Sequence, residues 1–255
     1  MTSHTDVVID QFTRQAAPFA NAAGMRDEDA LRLLVEFSGA NDSDTVLDVA
    51  CGPGLVVAAF ARACRHVTGI DITPAMIGKA REHAAALALT NVDWHTGDVL
   101  PLPFAGRAFS VVVSRYAFHH FPDPGAVLTE MARVCARPGR IVVADIAASD
   151  DPARAAALNR MERLRDPSHA RALTLGELRG LFARTGLPEP RATFYEVRAD
   201  LDRLLATSFP APDDIPTIRK MFADSIANDG LGMKTQAKSD KILLSYPIAV
   251  LAVDI

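Results

Sequence analysis

At 255 residues the chain is long enough for one large α/β domain with added segments. Hydrophobic residues make up 49% and charged ones 23%, as in ordinary globular proteins, and a net charge of −4 excludes the dense basic face that nucleic acids require. The three cysteines, Cys51, Cys64 and Cys135, follow no CxxC or Cys/His ligand spacing, so neither a disulfide framework nor a metal site is expected.

Met1 to Asp6 lack the charged and apolar blocks of a secretory signal, and no apolar run approaches the ~20 residues of a membrane span. The expectation is a cytoplasmic protein. Phe12, Pro18 and Phe19 mark an N-terminal segment, residues 1–40, expected to cover the functional edge as a helical lid.

The most informative stretch follows. Val46-Leu47-Asp48-Val49 reads as a buried strand, and Ala50-Cys51-Gly52-Pro53-Gly54 as a glycine turn opening a helix at Leu55. Free amides at such a turn favour a negative group. Val67-Thr68-Gly69-Ile70-Asp71 is a second strand ending in an acid, the position where ribose hydroxyls are held in strand–turn–helix–strand folds. Pro74 opens a helix with Met76, Ile77, Ala80, Ala84 and Leu87 at helical spacing. The third strand, Val92 to Asp98, ends in another acid. A glycine turn and two acids at neighbouring strand ends make a nucleoside site.

Phe109 to Ser114 is a fourth buried strand, and Val127, Leu128, Met131, Val134 and Cys135 mark one face of the next helix. Pro138-Gly139 ends that helix, and Arg140 to Ile146 forms a fifth strand. Residues 41–150 thus read as a mostly parallel sheet covered on both faces. Beyond 150, helices are expected near 152–166, 174–185, 201–207 and 216–228, with a Thr174/Glu177 capping box. Strands are expected at 191–198 and 247–254, so residues 151–255 supply an inserted helical cap and the end of the sheet within one domain.

These motifs carry a resemblance. Val46 to Gly54, with Ala50 at the first glycine position, Gly69-Ile70-Asp71-Ile72, Gly97-Asp98-Val99, and Pro101-Leu102-Pro103-Phe104 with Phe109 to Val112 are similar to those of class I S-adenosylmethionine-dependent methyltransferases of the UbiE-like, small-molecule branch. Ala136-Arg137-Pro138-Gly139-Arg140 resembles that family's turn before the fifth strand. The resemblance is specific over residues 45–147. It implies a Rossmann-like seven-stranded sheet of order 3-2-1-4-5-7-6, its seventh strand antiparallel. It also implies that S-adenosylmethionine lies against Asp48, Ala50, Gly52, Gly54, Asp71, Ile72, Met76, Gly97, Asp98, Val99 and Arg115. Asp71 would hold the ribose diol and Asp98 the adenine amine. Asp48 would organise the turn or meet the ammonium, directly or through water.

Ser114 to Asp123 follow the fourth strand, whose end lies beside the transferred methyl in this fold. His119 and His120 are therefore candidates to orient or deprotonate an acceptor, against an equal expectation that they only hold the loop. Arg115 reads more readily as structural than as a cofactor contact. For the acceptor, the candidates are Phe19, Tyr116 and the basic cluster Arg163, Arg165, His169 and Arg171, although such clusters more often face water. Tyr195 is expected in the core, Trp94 near the rim of its strand, and Cys51 as a small packed residue.

The expected partner is a small organic acceptor, a quinone-like or secondary-metabolite molecule, with O-, N- or C-methylation left open and a homodimer not excluded. The rivals are weaker. A nicotinamide-dependent dehydrogenase wants a third glycine where Val57 stands. A nucleic-acid or protein methyltransferase of the base-flipping type wants an Asn/Asp-Pro-Pro-aromatic motif where Ser114-Arg115-Tyr116-Ala117 stands. A chain that only binds the cofactor, or runs another reaction with it, stays open on sequence alone.

Overall fold

The computed structural model describes residues 3–21 and 24–255; residues 1, 2, 22 and 23 of the expected N-terminal cover lie outside that description. Two helices come first, α1 (His4–Asn21) and α2 (Glu28–Ser38), the latter capped by the Asp27 side chain. An alternating series follows: β1 (Thr45–Val49), α3 (Leu55–Ala61), β2 (His66–Asp71), α4 (Pro74–Ala86), β3 (Val92–Thr96), β4 (Phe109–Arg115), α5 (Pro124–Val134) and β5 (Cys135–Ala148). The remainder comprises α6 (Pro152–Arg165), β6 (Leu173–Thr174), α7 (Leu175–Arg184), β7 (Arg191–Asp200), α8 (Leu201–Ser208), α9 (Ile215–Asn228), β8 (Gln236–Lys238) and β9 (Lys241–Asp254). The Thr174/Glu177 capping box is present at the start of α7.

The strands run in the order β3-β2-β1-β4-β5-β9-β7, parallel up to β5, with β9 antiparallel to both of its neighbours. That is the expected 3-2-1-4-5-7-6 order. Two short strands raise the total to nine: β6 pairs with the end of β5, and β8 with the start of β9. The last strand starts earlier than expected, at Lys241, despite Pro247 within it. Pro247 lies just past Ile146↔Ile248, the terminal residue pair between β5 and β9, so its missing N–H removes no rung of that ladder. Leu87, expected on the buried face of α4, caps that helix instead and is exposed.

Period-two alternation sends neighbouring side chains to opposite faces, and both faces are covered. Leu47, Val49 and Val112 join Leu128, Met131 and Phe182 in the core beneath α5 and α7. Val46, Val111 and Val113 join Val56, Phe60 and Leu34 beneath α2 and α3. A third core, built from Leu158, Met161, Leu205, Ile218 and Phe222 of the cap helices, packs on Ile146, Tyr246 and Ile248. Those strand residues belong to parts of β5 and β9 that overhang the short central strands. The cap thus has a core of its own, set beside the ends of β1 and β4.

Candidate functional site

The carboxyl ends of β1 and β4 carry backbone strain side by side. Ala50 has φ +58° and Tyr116 φ +57°, a region that costs a side chain with a Cβ about 1–2 kcal/mol. Both residues line a cavity of about 330 Å³ that opens at this edge. Gly52, also at positive φ, faces the same space, and a Cβ there would meet no atom within 4 Å.

Of the other residues expected around the cofactor, Asp71, Ile72, Met76, Asp98, Val99 and Arg115 also line this cavity. The Asp71 carboxylate accepts hydrogen bonds from Gly52 N and Thr73 N, both at 2.8 Å, which fixes the turn and leaves one lone pair on each oxygen. Burial raises its pKa, and those two amides pull it partly back. Asp98 Oδ1 accepts from Val99 N at 2.6 Å and Leu100 N at 3.1 Å, and no described residue bonds Oδ2.

Three expected residues are not on the wall. Asp48 is buried behind it, and neither carboxylate oxygen has a described hydrogen-bond partner. Burial and the nearby Asp71 charge push its pKa well up, against a weaker pull from Arg115. It does not organise the turn by hydrogen bonding. Gly54 is a glycine for packing: a Cβ would come within 2.6 Å of Trp94 Cη2 and 2.9 Å of Ala80 Cβ, at φ +76°. Gly97 continues the backbone ladder, donating to Asp71 O at 3.0 Å. Trp94 therefore lies under the turn rather than at a rim, against Gly54 and Gly69.

Arg115 is buried and forms no ion pair among the described residues, although its charge is felt by the buried Asp48. It donates to Met25 O at 3.1 Å, Tyr116 Oη at 2.9 Å and Tyr195 Oη at 3.4 Å, and the two phenols share a bond of 2.7 Å. Tyr195, half-buried, thus belongs to the site's hydrogen-bond chain rather than to the core proper. A buried guanidinium facing a cavity and without a described ion pair is matched to an anionic group. Together with the spare Asp71 lone pairs and the open space at Gly52, it makes the cavity fit a nucleoside with an amino-acid tail.

A second cavity, of about 840 Å³, lies beside the first. The two share Phe12, Phe19, Met25, Tyr116 and His120 as walls, so α1 and the end of β4 form the junction. Helix α1 is fastened there by Gln11 and Gln15, whose amides donate to Ser208 O at 2.6 and 3.2 Å.

His119 faces this second space. Its Nδ1 lies 2.5 Å from Asp145 Oδ1, and its backbone N donates to Asp145 Oδ2 at 2.8 Å. Burial, the largest influence, opposes its charged form, but Asp145 together with Glu162 and Asp166 outweighs it and the pKa is raised. With Nδ1–H given to Asp145, the Nε2 lone pair is free, and no described residue bonds it. His120 is the opposite case: burial and the His119 charge lower its pKa to about 4, and Nδ1 sits 3.0 Å from Ser168 O. Asp145 was not foreseen. The signal was available as the one acid inside the apolar run Ile141 to Ile146.

The basic cluster splits. Arg163 and Arg171 are exposed, Arg171 pairs with Glu177, and neither lines a cavity. His169 is buried against Asn159 Oδ1 at 2.8 Å and is likewise off the wall, its pKa lowered to about 2 chiefly by burial. Arg165 alone of the cluster lines the second cavity, while paired at 2.5 Å with the fully buried Glu162. No group of three or more His, Cys, Asp or Glu among the described residues is arranged to hold a metal. None of the helices described is long and apolar enough to cross a membrane.

Comparison with known proteins agrees with this geometry. Residues 46–139 match the family model described as a methyltransferase domain. The uncharacterized methyltransferase YcgJ of Bacillus subtilis is 31% identical over 176 residues, 69% of this chain and 70% of that one. Its crystal structure superposes with a TM-score of 0.81 at 25% identity, over 89% of this chain and 98% of that one. A 2-phytyl-1,4-naphtoquinone methyltransferase of Synechococcus elongatus is 33% identical over 119 residues, 45% of this chain and 51% of that protein. Geranyl diphosphate C-methyltransferase from Streptomyces coelicolor, solved with S-adenosyl-L-homocysteine, shares the fold at 18% identity, with a TM-score of 0.64 over 89% of this chain and 80% of that one. With its sheet order, its strand-end crevice and the YcgJ match together, the chain belongs to the class I S-adenosylmethionine-dependent methyltransferases.

Proposed function

We propose that the enzyme methylates a hydroxyl or an acidic ring carbon of a small organic acceptor held in the second cavity. The observation that carries this reading is the His119–Asp145 pair, turned toward that space beside the junction of the two cavities. The name of the naphtoquinone methyltransferase relative supports a ring-bearing acceptor.

In this reading Asp71 holds the ribose diol, Asp98 Oδ2 the adenine amine, and Gly52 with Arg115 the carboxylate. The bound cofactor supplies a methyl carbon already activated by its sulfonium. His119 Nε2 would take the acceptor proton as the acceptor atom bonds to that carbon, the carbon–sulfur bond breaking so that S-adenosylhomocysteine leaves as a neutral thioether. Asp145 stays ionised, holds the imidazole in the required tautomer and stabilises the imidazolium, the role of a carboxylate in such dyads. Phe12, Phe19 and Met25 keep water from the junction, where orientation supplies much of the acceleration.

The test is transfer from methyl-labelled donor into a metabolite extract, with calorimetric titration of S-adenosylhomocysteine alongside. Asp145→Asn and His119→Gln should each lower transfer by about 10²–10⁴-fold and leave the affinity for S-adenosylhomocysteine within about twofold. Because the base must be unprotonated and its pKa is raised, wild-type transfer should climb with pH above about 6.5. Undiminished transfer in both variants would sink the assignment.

A further inference from the structure

The second cavity combines apolar walls with charged groups, of which Arg165 and Asp166 are turned inward and Arg198, Arg203 and Lys234 are exposed. Val197, Leu204, Leu244, Tyr246, Ile248 and Phe12 make its apolar walls. Every acid on its surface is already committed to a protein partner. Glu196 pairs with Lys234, and Asp200 pairs with Lys241 at 2.8 Å while capping α8 through Arg203 N. Asp166 accepts from Ser168 N at 2.9 Å and from Ser168 Oγ. Among the cations, Lys234 is spent on Glu196 and Arg165 on Glu162.

Two cations remain. Arg198 on β7 and Arg203 on α8 both line the cavity and are both exposed. Among the described residues neither side chain has an ion-pair or hydrogen-bond partner; Glu196, which feels the Arg198 charge, is already paired with Lys234. His119, on the same lining, is buried. One lining thus carries a buried base and two exposed guanidinium groups without an ion pair among the described residues.

We propose that the acceptor has an apolar body and an anionic end, a carboxylate or phosphate, docked on Arg198 and Arg203. Guanidinium groups grip such anions with forked hydrogen bonds, and the apolar walls take up the body of the ligand. This deepens the methyl-transfer reading and rests on it. It places the reacting atom at His119 and the charge on the exposed guanidinium groups, so the charged group selects and orients the acceptor and takes no part in the chemistry.

Two dyes that differ by one charge test this: anilinonaphthalene sulfonate and its neutral counterpart N-phenyl-1-naphthylamine, titrated by fluorescence into protein saturated with S-adenosylhomocysteine. The wild type should bind the sulfonate more tightly. Arg198→Gln and Arg203→Gln should each weaken sulfonate binding about three- to tenfold, with the neutral dye and S-adenosylhomocysteine unchanged. Raising the salt should weaken sulfonate binding in the wild type and do so less in the double variant. Equal binding of both dyes by the wild type, or a double variant that holds the sulfonate as the wild type does, overturns the proposal. A folded protein that binds no S-adenosylhomocysteine overturns instead the methyl-transfer reading beneath it.

Discussion

Replacing Asp71 by Asn separates the two duties that the crevice gives this side chain. Both carboxylate oxygens already receive a backbone N–H at 2.8 Å, Oδ2 from Gly52 and Oδ1 from Thr73. Asparagine has almost the same shape but turns one oxygen into an NH₂ donor. Whichever way the amide is placed, a donor then faces the N–H of Gly52 or Thr73. One buried amide is left unpaired, which costs about 1–3 kcal/mol of stability. The ligand loses one charge-assisted hydrogen bond, worth about 1.5–3 kcal/mol, or roughly 10- to 150-fold in affinity. Calorimetric titration of S-adenosylhomocysteine at pH 7.5, paired with urea unfolding, reads both effects on one sample. Burial raises the Asp71 pKa, so affinity in the wild type should also fall as the pH drops through that raised value, and the variant should lack that dependence. A folded Asp71→Asn protein whose affinity stays within twofold of wild type would refute the ribose assignment.

Two further outcomes follow from packing and from the buried histidines. Gly54→Ala should destabilise by about 2–5 kcal/mol in urea unfolding, since its Cβ strikes Trp94 and Ala80 at a left-handed φ; Gly54→Ala with Trp94→Leu should show a clear coupling energy, and strict additivity would count against the clash. His120 and His169 are held neutral by burial, with pKa values near 4 and 2, so the unfolded chain binds more protons than the folded one below pH 6.5. Stability should therefore fall as pH drops from 6.5 toward 4, by on the order of 2–3 kcal/mol from His120 alone. His119, whose pKa is raised, stabilises below 6.5 and offsets part of this loss. Unfolding free energies that stay flat from pH 7 to 4.5 would contradict it.

The features legible in the sequence are those set by local rules. Strand and helix periodicity located β1 to β5, and the ends of successive parallel strands must lie along one edge, which brings Ala50, Gly52, Asp71 and Asp98 to a single crevice. Features set by distant partners were not legible. Gly54 answers to Trp94, forty positions on, and motif reading alone credits it to the ligand. The split of the basic cluster depends on the phase of α6: Arg165 falls one turn after Glu162 and shares its inward face, while Arg163 points out. The dyad pairs the end of β5 with the loop after β4, and only their adjacency in the sheet brings Asp145 to His119.

The overhang of β5 and β9 has a consequence for how such enzymes diversify. The second cavity, which we propose holds the acceptor, rests on a hydrophobic cluster distinct from the two that support the crevice at the ends of β1 and β2. Substitutions in that third cluster would reshape this cavity while leaving the crevice at the ends of β1 and β2 undisturbed. Descendants of one ancestor can thereby trade one substrate for another and keep the same methyl source.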